Sequence, residues 1–323
     1  MPPRRRVTHQ LESYALVGLW AAVAVAFSVW SKTSTAFFTM DNVRAILISQ
    51  SVTAIVALGA LVPLVTNEWD LSVGVASGLA AVVSASLMSN GVPLVLAAAA
   101  SIVLCLAIGG LNGGIVTRLR VNAVITTLGV ATILDGVINQ KTGGSAVVAD
   151  LPEGLISFGS STWIGIPKPA YVMAAAAGGV YYLLRHTPFG RYLYALGSNP
   201  SAGVLVGLRT KLLLTGAFAC AGLLAGGAGV LEVAVAGGAD PRVGDSFTLP
   251  ALAAAFLSAA SITPGRYNVG GTLVAIFFLA TLNSGLNFAG APPYVGNYVN
   301  GVALIAGVGL GAFLGRKRTL GVT

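Results

Sequence analysis

Of the 323 residues, 55% are hydrophobic and 9% charged, and the mean hydropathy is +0.85; a soluble domain carries about a quarter charged residues. That balance excludes a water-soluble enzyme, and the continuity of the apolar runs excludes a transmembrane barrel, whose short segments alternate in polarity. The formal net charge of +8 invites nucleic acid as a partner, but the basic residues stand at the ends of apolar runs, where they orient helices in a bilayer, so nucleic acid is set aside.

In chain order, Met1–Arg6 supplies three arginines ahead of an apolar stretch from Tyr14 to Trp30. The layout is that of a signal sequence, but "STAFF" is a poor cleavage site and the apolar run is long, which predicts an uncleaved first helix. Apolar runs between polar breaks then predict ten spans, at roughly 14–31, 43–66, 71–89, 92–116, 122–141, 169–184, 211–235, 246–262, 269–287 and 295–314. Several reach the roughly 20 residues that cross a bilayer. The expected fold is all-α, one polytopic membrane domain over 1–323 with about ten transmembrane helices.

The third span starts directly after "TNEWD", a break at 66–72 that lipid tolerates only where protein or water covers the irregular backbone. The fifth is interrupted by Thr126, Thr127, Asp135, Asn139 and Gln140. Cys105 and Cys220 lie inside apolar runs without partner spacing and read as small buried hydrophobes. The 42 glycines suit close helix packing in lipid.

Orientation follows from the basic residues. With both termini cytoplasmic, ten spans place Arg4, Arg5, Arg6, Arg118, Arg120, Arg185, Arg191, Arg209, Lys211, Arg266, Arg316, Lys317 and Arg318 inside. Lys32, Arg44, Lys141, Lys168 and Arg242 fall outside, a bias of thirteen to five. Spans two to five and seven to ten then enter from opposite sides, which permits an inverted repeat. The longest outer connection, about 142–168, is rich in Gly, Ser and Pro and reads as a structured, irregular loop. On this outer side Asp150, Glu153, Asp240, Arg242 and Asp245 offer charges to an external partner.

The longest inner connection is 185–211, "RHTPFGRYLYALGSNPSAGVLVGLRTK". A helix over Phe189–Leu196 is expected to stop at a left-handed Gly197. Asn199 is suited to cap a second short helix, with Pro200 in its first position. That helix should reach Leu208, with Val204, Leu205 and Leu208 sharing one apolar face. Two short helices at an elbow make a rigid knuckle, read from chemistry alone either as an interfacial connector or as a functional part.

"GRYLYALGSNPSAGVLVGL" resembles the cytoplasmic coupling loop of ABC transporter permeases of the ribose, xylose and arabinose type. The matching positions are Gly190, Arg191, Ala195, Gly197, Asn199, Ala202 and Gly207. "DLSVG" at 70–74 and "GGLNGGIVTRLRVNAVITTLG" at 109–129 resemble two further segments of that family, in the same order. The chain departs from the family's "GGTS" and following Gly-rich turn after the eighth helix: here Ser258-Ala259-Ala260-Ser261 and then "ITPGRYNVGG" stand. It departs again at Trp69, preceded by Glu68, where a small or aliphatic residue is usual. Both departures bear on cargo and partner fit and leave the coupling loop untouched.

The resemblance implies a permease subunit in the bacterial plasma membrane, importing a monosaccharide or related polyol. It further implies separate ATPase subunits that use ATP and Mg, an extracytoplasmic binding protein, and a second permease subunit, identical or not. The residues agree in part. The chain contains no G-x-x-x-x-G-K-[ST], so ATP hydrolysis belongs to a partner. His9 and His186 stand apart without acidic or cysteine company, so no catalytic or metal site is expected, and no cofactor on this chain.

Polar residues inside apolar spans are the candidates for the transport path, because lipid makes them costly. Asp70, with Ser72, leads, flanked by Trp69; Thr126, Thr127, Asn283 and Asn287 complete the set, with Asn112, Asp135, Asn139, Glu232 and Phe288 behind them. Asp70 equally suits a helix cap, and Asn112, between glycines, suits a helix-packing hydrogen bond. Branched-chain amino acid or nucleoside permeases and an ion- or proton-coupled secondary carrier remain the competing readings. The carrier reading wants a stronger buried charge relay than Asp70, Asp135 and Glu232.

Overall fold

Inside a bilayer the backbone has no water to bond, so long apolar runs close their hydrogen bonds internally as helices. The computed structural model describes residues 3–148 and 150–319, with side chains described from 13 to 148 and from 150 to 310. Among them are α1 (Pro3–Val29), α2 (Met40–Leu64), α3 (Val73–Ser89), α4 (Leu94–Leu119), α5 (Ala123–Thr142), α6 (Glu153–Ser160) and α7 (Lys168–His186). Then come α8 (Pro188–Ser198), α9 (Pro200–Leu205), α10 (Thr210–Ala236), α11 (Val243–Leu257), α12 (Val269–Phe288) and α13 (Tyr294–Thr319). The ten expected stretches overlap helices in position, which does not by itself make each a membrane span. The side chains of Arg4, Arg5, Arg6, His9, Arg316, Lys317 and Arg318 lie outside the described residues.

Among the described residues six helices are long and apolar enough to cross a membrane: α2, α4, α5, α10, α12 and the stretch Val243–Ala260 that begins with α11. Ser13–Val29, Val73–Ser89 and Tyr294–Leu310 are shorter apolar helical stretches. The expected outer loop contains α6 and a hairpin of β1 (Thr162–Trp163) and β2 (Ile166–Pro167), paired antiparallel. Its turn residues Ile164 and Gly165 both have positive φ, at 51° and 79°, the geometry that matches strand twist in a two-residue turn.

The chain divides into two compact units, residues 1–50 with 249–323, and residues 51–248. In the second unit α4 and α10 pack backbone to backbone. A Cβ on Gly109 would overlap the Phe218 carbonyl, and one on Gly222 would overlap the Cys105 carbonyl. Small residues allow this approach, which in lipid replaces the hydrophobic drive between helices. Cys105 is fully buried and its Sγ lies 3.3 Å from the Ala76 carbonyl, as expected of a packing residue.

In the first unit α1 packs on α12. Trp20 Nε1 donates to Thr281 Oγ1 at 2.8 Å, and Gly285 faces the Phe27 ring. The departure segment begins, at the end of the eighth expected span, with a 3-10 turn at Ser258–Ala260. Asn268 closes it, donating to the Ser258 carbonyl at 2.9 Å while capping α12 by accepting from Gly271 N at 2.7 Å.

Candidate functional site

The 185–211 segment folds as two helices at an elbow. Thr187 caps α8 by accepting from Gly190 N at 3.2 Å, with Pro188 in the first helical position. Gly190 lets the turn fold tightly, since a Cβ there would overlap the backbone of Leu183 and Leu184. Leu193 and Leu196 are buried beneath α8, and the Phe189 ring lies against Gly216 of α10. Asn199 caps α9 as expected, accepting from Ala202 N at 3.0 Å, with Pro200 at its start.

Two expectations are corrected. Gly197 lies inside α8 with helical backbone, and the helix runs on to Ser198; the left-handed glycine after the elbow is Gly207, at φ 79°. Gly197 is glycine for another reason: a Cβ there would overlap the Val65 carbonyl. The second helix stops short of Leu208, so that residue is not on its face. α9 ends at Leu205, and Val204, Leu205 and Val206 are 60%, 87% and 75% exposed. The buried residue of α9 is Gly203, packed on Leu196.

The elbow is therefore fastened at the end of α2. Asn67, in a left-handed backbone conformation at φ 63°, donates from Nδ2 to the Gly197 carbonyl at 2.6 Å. Asn adopts that conformation more readily than most residues, since its side chain bonds locally. Arg191, Ala195, Asn199, Ala202 and Gly207 are exposed around this fastening, whereas Gly190 is buried.

Three residues beyond Asn67 the chain enters a buried polar network. Asp70 is 2% exposed, and its Oδ1 accepts the Ser72 amide at 2.9 Å and the Ser72 hydroxyl at 2.6 Å. Asp70 is thus not the cap of α3; Ser72 holds that position, without a side-chain cap bond. Asn112 Nδ2 donates to Ser72 Oγ at 2.8 Å from α4, the interhelical bond its glycine neighbours suggested. From α5, Thr127 Oγ1 accepts Leu71 N at 3.0 Å and lies 3.3 Å from the Trp69 carbonyl. Trp69, Asp70, Ser72 and Thr127 are brought together, with Asn112 added. Thr126 instead bonds the Asn122 carbonyl of its own helix at 3.0 Å.

Elsewhere, Asn139 bonds Asp135 of its own helix. Asn283 and Asn287 lie on α12 in the other unit, the latter exposed, as is Phe288 at 43%. Among the described residues no group of His, Cys, Asp and Glu is placed to hold a metal.

The break also has a counterpart that sequence reading missed. "D-x-x-V-G" occurs at Asp70–Gly74 and again at Asp240–Gly244. Both aspartates accept the amide two residues on, at 2.9 Å for Ser72 and 2.7 Å for Arg242, and the helices that follow start at Val73 and Val243. The two starts cross antiparallel. A Cβ on Gly74 would overlap Thr248 Oγ1, and one on Gly78 would come within 3.0 Å of Gly244. Exchanging the two copies maps the first contact onto the second. Gly74 and Gly244 meet at the centre, each 2.6–2.7 Å from the other's carbonyl once a Cβ is added.

The family model for branched-chain amino acid transport system permease components matches residues 42–308. The chain belongs to that family. It is 36% identical to the ribose import permease protein of Escherichia coli K12 over 304 residues, 92% of either chain. It is 30% identical to the ribose import permease protein of Bacillus subtilis over 86% of this chain and 85% of that one. It is 28% identical to the D-allose transport system permease protein of Escherichia coli K12, over 91% and 90%. No solved structure matches the chain. Membership of this family and the six apolar spans make it a multi-pass integral membrane protein.

Proposed function

We propose that the chain is the membrane-spanning permease subunit of an ATP-driven importer in a bacterial plasma membrane, moving a monosaccharide or related polyol. The ribose and allose permeases to which it is similar support a sugar over a branched-chain amino acid. Separate ATPase subunits, which bind ATP and Mg, dock on residues 185–211, a binding protein delivers cargo outside, and a second permease copy or homologue completes the pore. Ten spans with both termini inside put the elbow on the ATPase side.

One observation carries the mechanism: the elbow that presents Val204–Val206 to solvent is tied through Gly197 to Val65 and Asn67, next to the Asp70–Ser72–Asn112 network. An apolar tip suits the groove of a partner, which recognises a short amphipathic helix by its exposed side chains. A push on α8 passes to 65–67 and from there to the start of α3, because a packed elbow moves as a body. We assign Trp69, Asp70, Ser72, Thr126, Thr127, Asn283 and Asn287 to the cargo path, as polar or aromatic side chains set inside apolar spans. The two D-x-x-V-G copies support an inverted repeat whose halves rock about the α3–α11 crossing.

The test is uptake into proteoliposomes holding the complete importer, with and without the ATPase subunits. Uptake should require ATPase and ATP. Gly197→Val with Asn199→Ala should abolish it while the permease still inserts. Uptake without any ATPase would instead identify a self-contained carrier.

A further inference from the structure

Among the described residues four buried side-chain atoms have no hydrogen-bond partner, and two of them, Asn283 Oδ1 and Asn300 Oδ1, lie on the adjoining helices α12 and α13. A buried amide oxygen without a donor is costly, and more so where no water can enter from lipid. Native chains keep few such groups, and each calls for a reason such as a functional role or a bound water or ion.

The surroundings give the two amides a common place. Both stand at the end of their helix that borders the 289–293 turn, so they share one end of their unit. Asn283 lies against α13, its Oδ1 3.5 Å from where a Cβ on Gly296 would stand. Asn300 is one turn beyond Gly296, on the face that continues through the buried Ala303 to Gly307, which packs on Phe256 and Leu257. At the same end, Ser284 Oγ donates to Asn42 Oδ1 at 2.9 Å, and Asn42 Nδ2 donates to the Phe37 carbonyl at 2.7 Å, so these neighbours are already satisfied. Asn287 and Asn297 are exposed at the rim.

We infer that Asn283 and Asn300 form a hydroxyl-recognition site, in which two orphan carbonyl oxygens accept hydrogen bonds from a polyhydroxylated cargo entering from the outer side. Two acceptors fit the hydroxyl donors of a sugar. Gly296 keeps the wall beside Asn283 bare, since an added Cβ would come into contact with Oδ1 at 3.5 Å. This assignment rests on the importer reading above and names the side chains that would touch its cargo.

The test uses the assembled importer in proteoliposomes with radiolabelled ribose and allose. Asn283→Leu and Asn300→Leu keep the side-chain shape and remove the orphan oxygen, and Gly296→Ala crowds it. Each should lower uptake at least tenfold while ATPase association persists and the melting temperature stays level or rises, since removing an unpaired polar group does not cost stability. Uptake within twofold of wild type overturns the site. So does a loss of uptake matched by a fall in melting temperature, the mark of a purely structural amide. A wild-type importer that moves neither of these nor any other monosaccharide or polyol in a labelled panel defeats the underlying importer reading instead.

Discussion

At Asn199 a single side-chain oxygen accepts one free amide, Ala202 N, at the start of a six-residue helix. A helix that short does not persist by itself, so its geometry depends on the cap and on Gly203 packing against Leu196. Asn199→Ala should cost about 1 kcal/mol locally, a small fraction of overall stability. The expected result is a melting temperature close to wild type with ATP-driven uptake reduced severalfold, measured on one reconstituted preparation. The cap was legible from the dipeptide Asn199-Pro200 because capping is local chemistry. Gly197 was legible only as a special position. Its reason, the Val65 carbonyl 132 residues earlier in the chain, is a long-range approach to which no spacing within 185–211 points. Ser72 combines both kinds of information: its hydroxyl donates to Asp70 and accepts from Asn112. Ser72→Ala removes a donor from a buried carboxylate and an acceptor from a buried amide together. Such losses cost about 1–3 kcal/mol each, so this single atom should lower the melting temperature far more than Asn199→Ala does.

Between elements, backbone approach does the work that oily side chains do in soluble cores. The α4–α10 pair shows it on both partners, with Gly109 on the Phe218 carbonyl and Gly222 on the Cys105 carbonyl. Gly109→Val and Gly222→Val should each force the helices apart, costing on the order of 1–3 kcal/mol as overpacking does. Thermal unfolding in detergent should show this, and Gly110→Val, where a Cβ meets nothing within 4 Å, should leave it unchanged. The positions of the helices were legible in the sequence because an apolar run of membrane length has only one backbone solution. Which helices would touch was not. The glycine content announced close packing, but Gly109 and Gly110 are chemically identical neighbours, and only the fold decides which one faces α10.

For the molecule as a permease, the D-x-x-V-G pair is the most consequential contact. Its repetition 170 positions apart is visible in the sequence, but five residues with three fixed letters recur too easily to prove a repeat. The structure adds what the letters lack: the Gly74–Thr248 and Gly78–Gly244 contacts exchange under one local two-fold. If the halves rock about this crossing, damage from either side strikes the same contact. Gly74→Ala and Gly244→Ala should therefore lower uptake by comparable factors, because each Cβ would run into the other copy's backbone. They should also be non-additive. Residues that share one contact couple by about 0.5–3 kcal/mol in a double-mutant cycle, so the double variant should lose markedly less than the product of the single losses. Uptake by the four proteins, normalised to ATPase-bound permease, measures that coupling. Independent, multiplicative losses would mean that the two helix starts move separately, and the shared pivot would have to be abandoned.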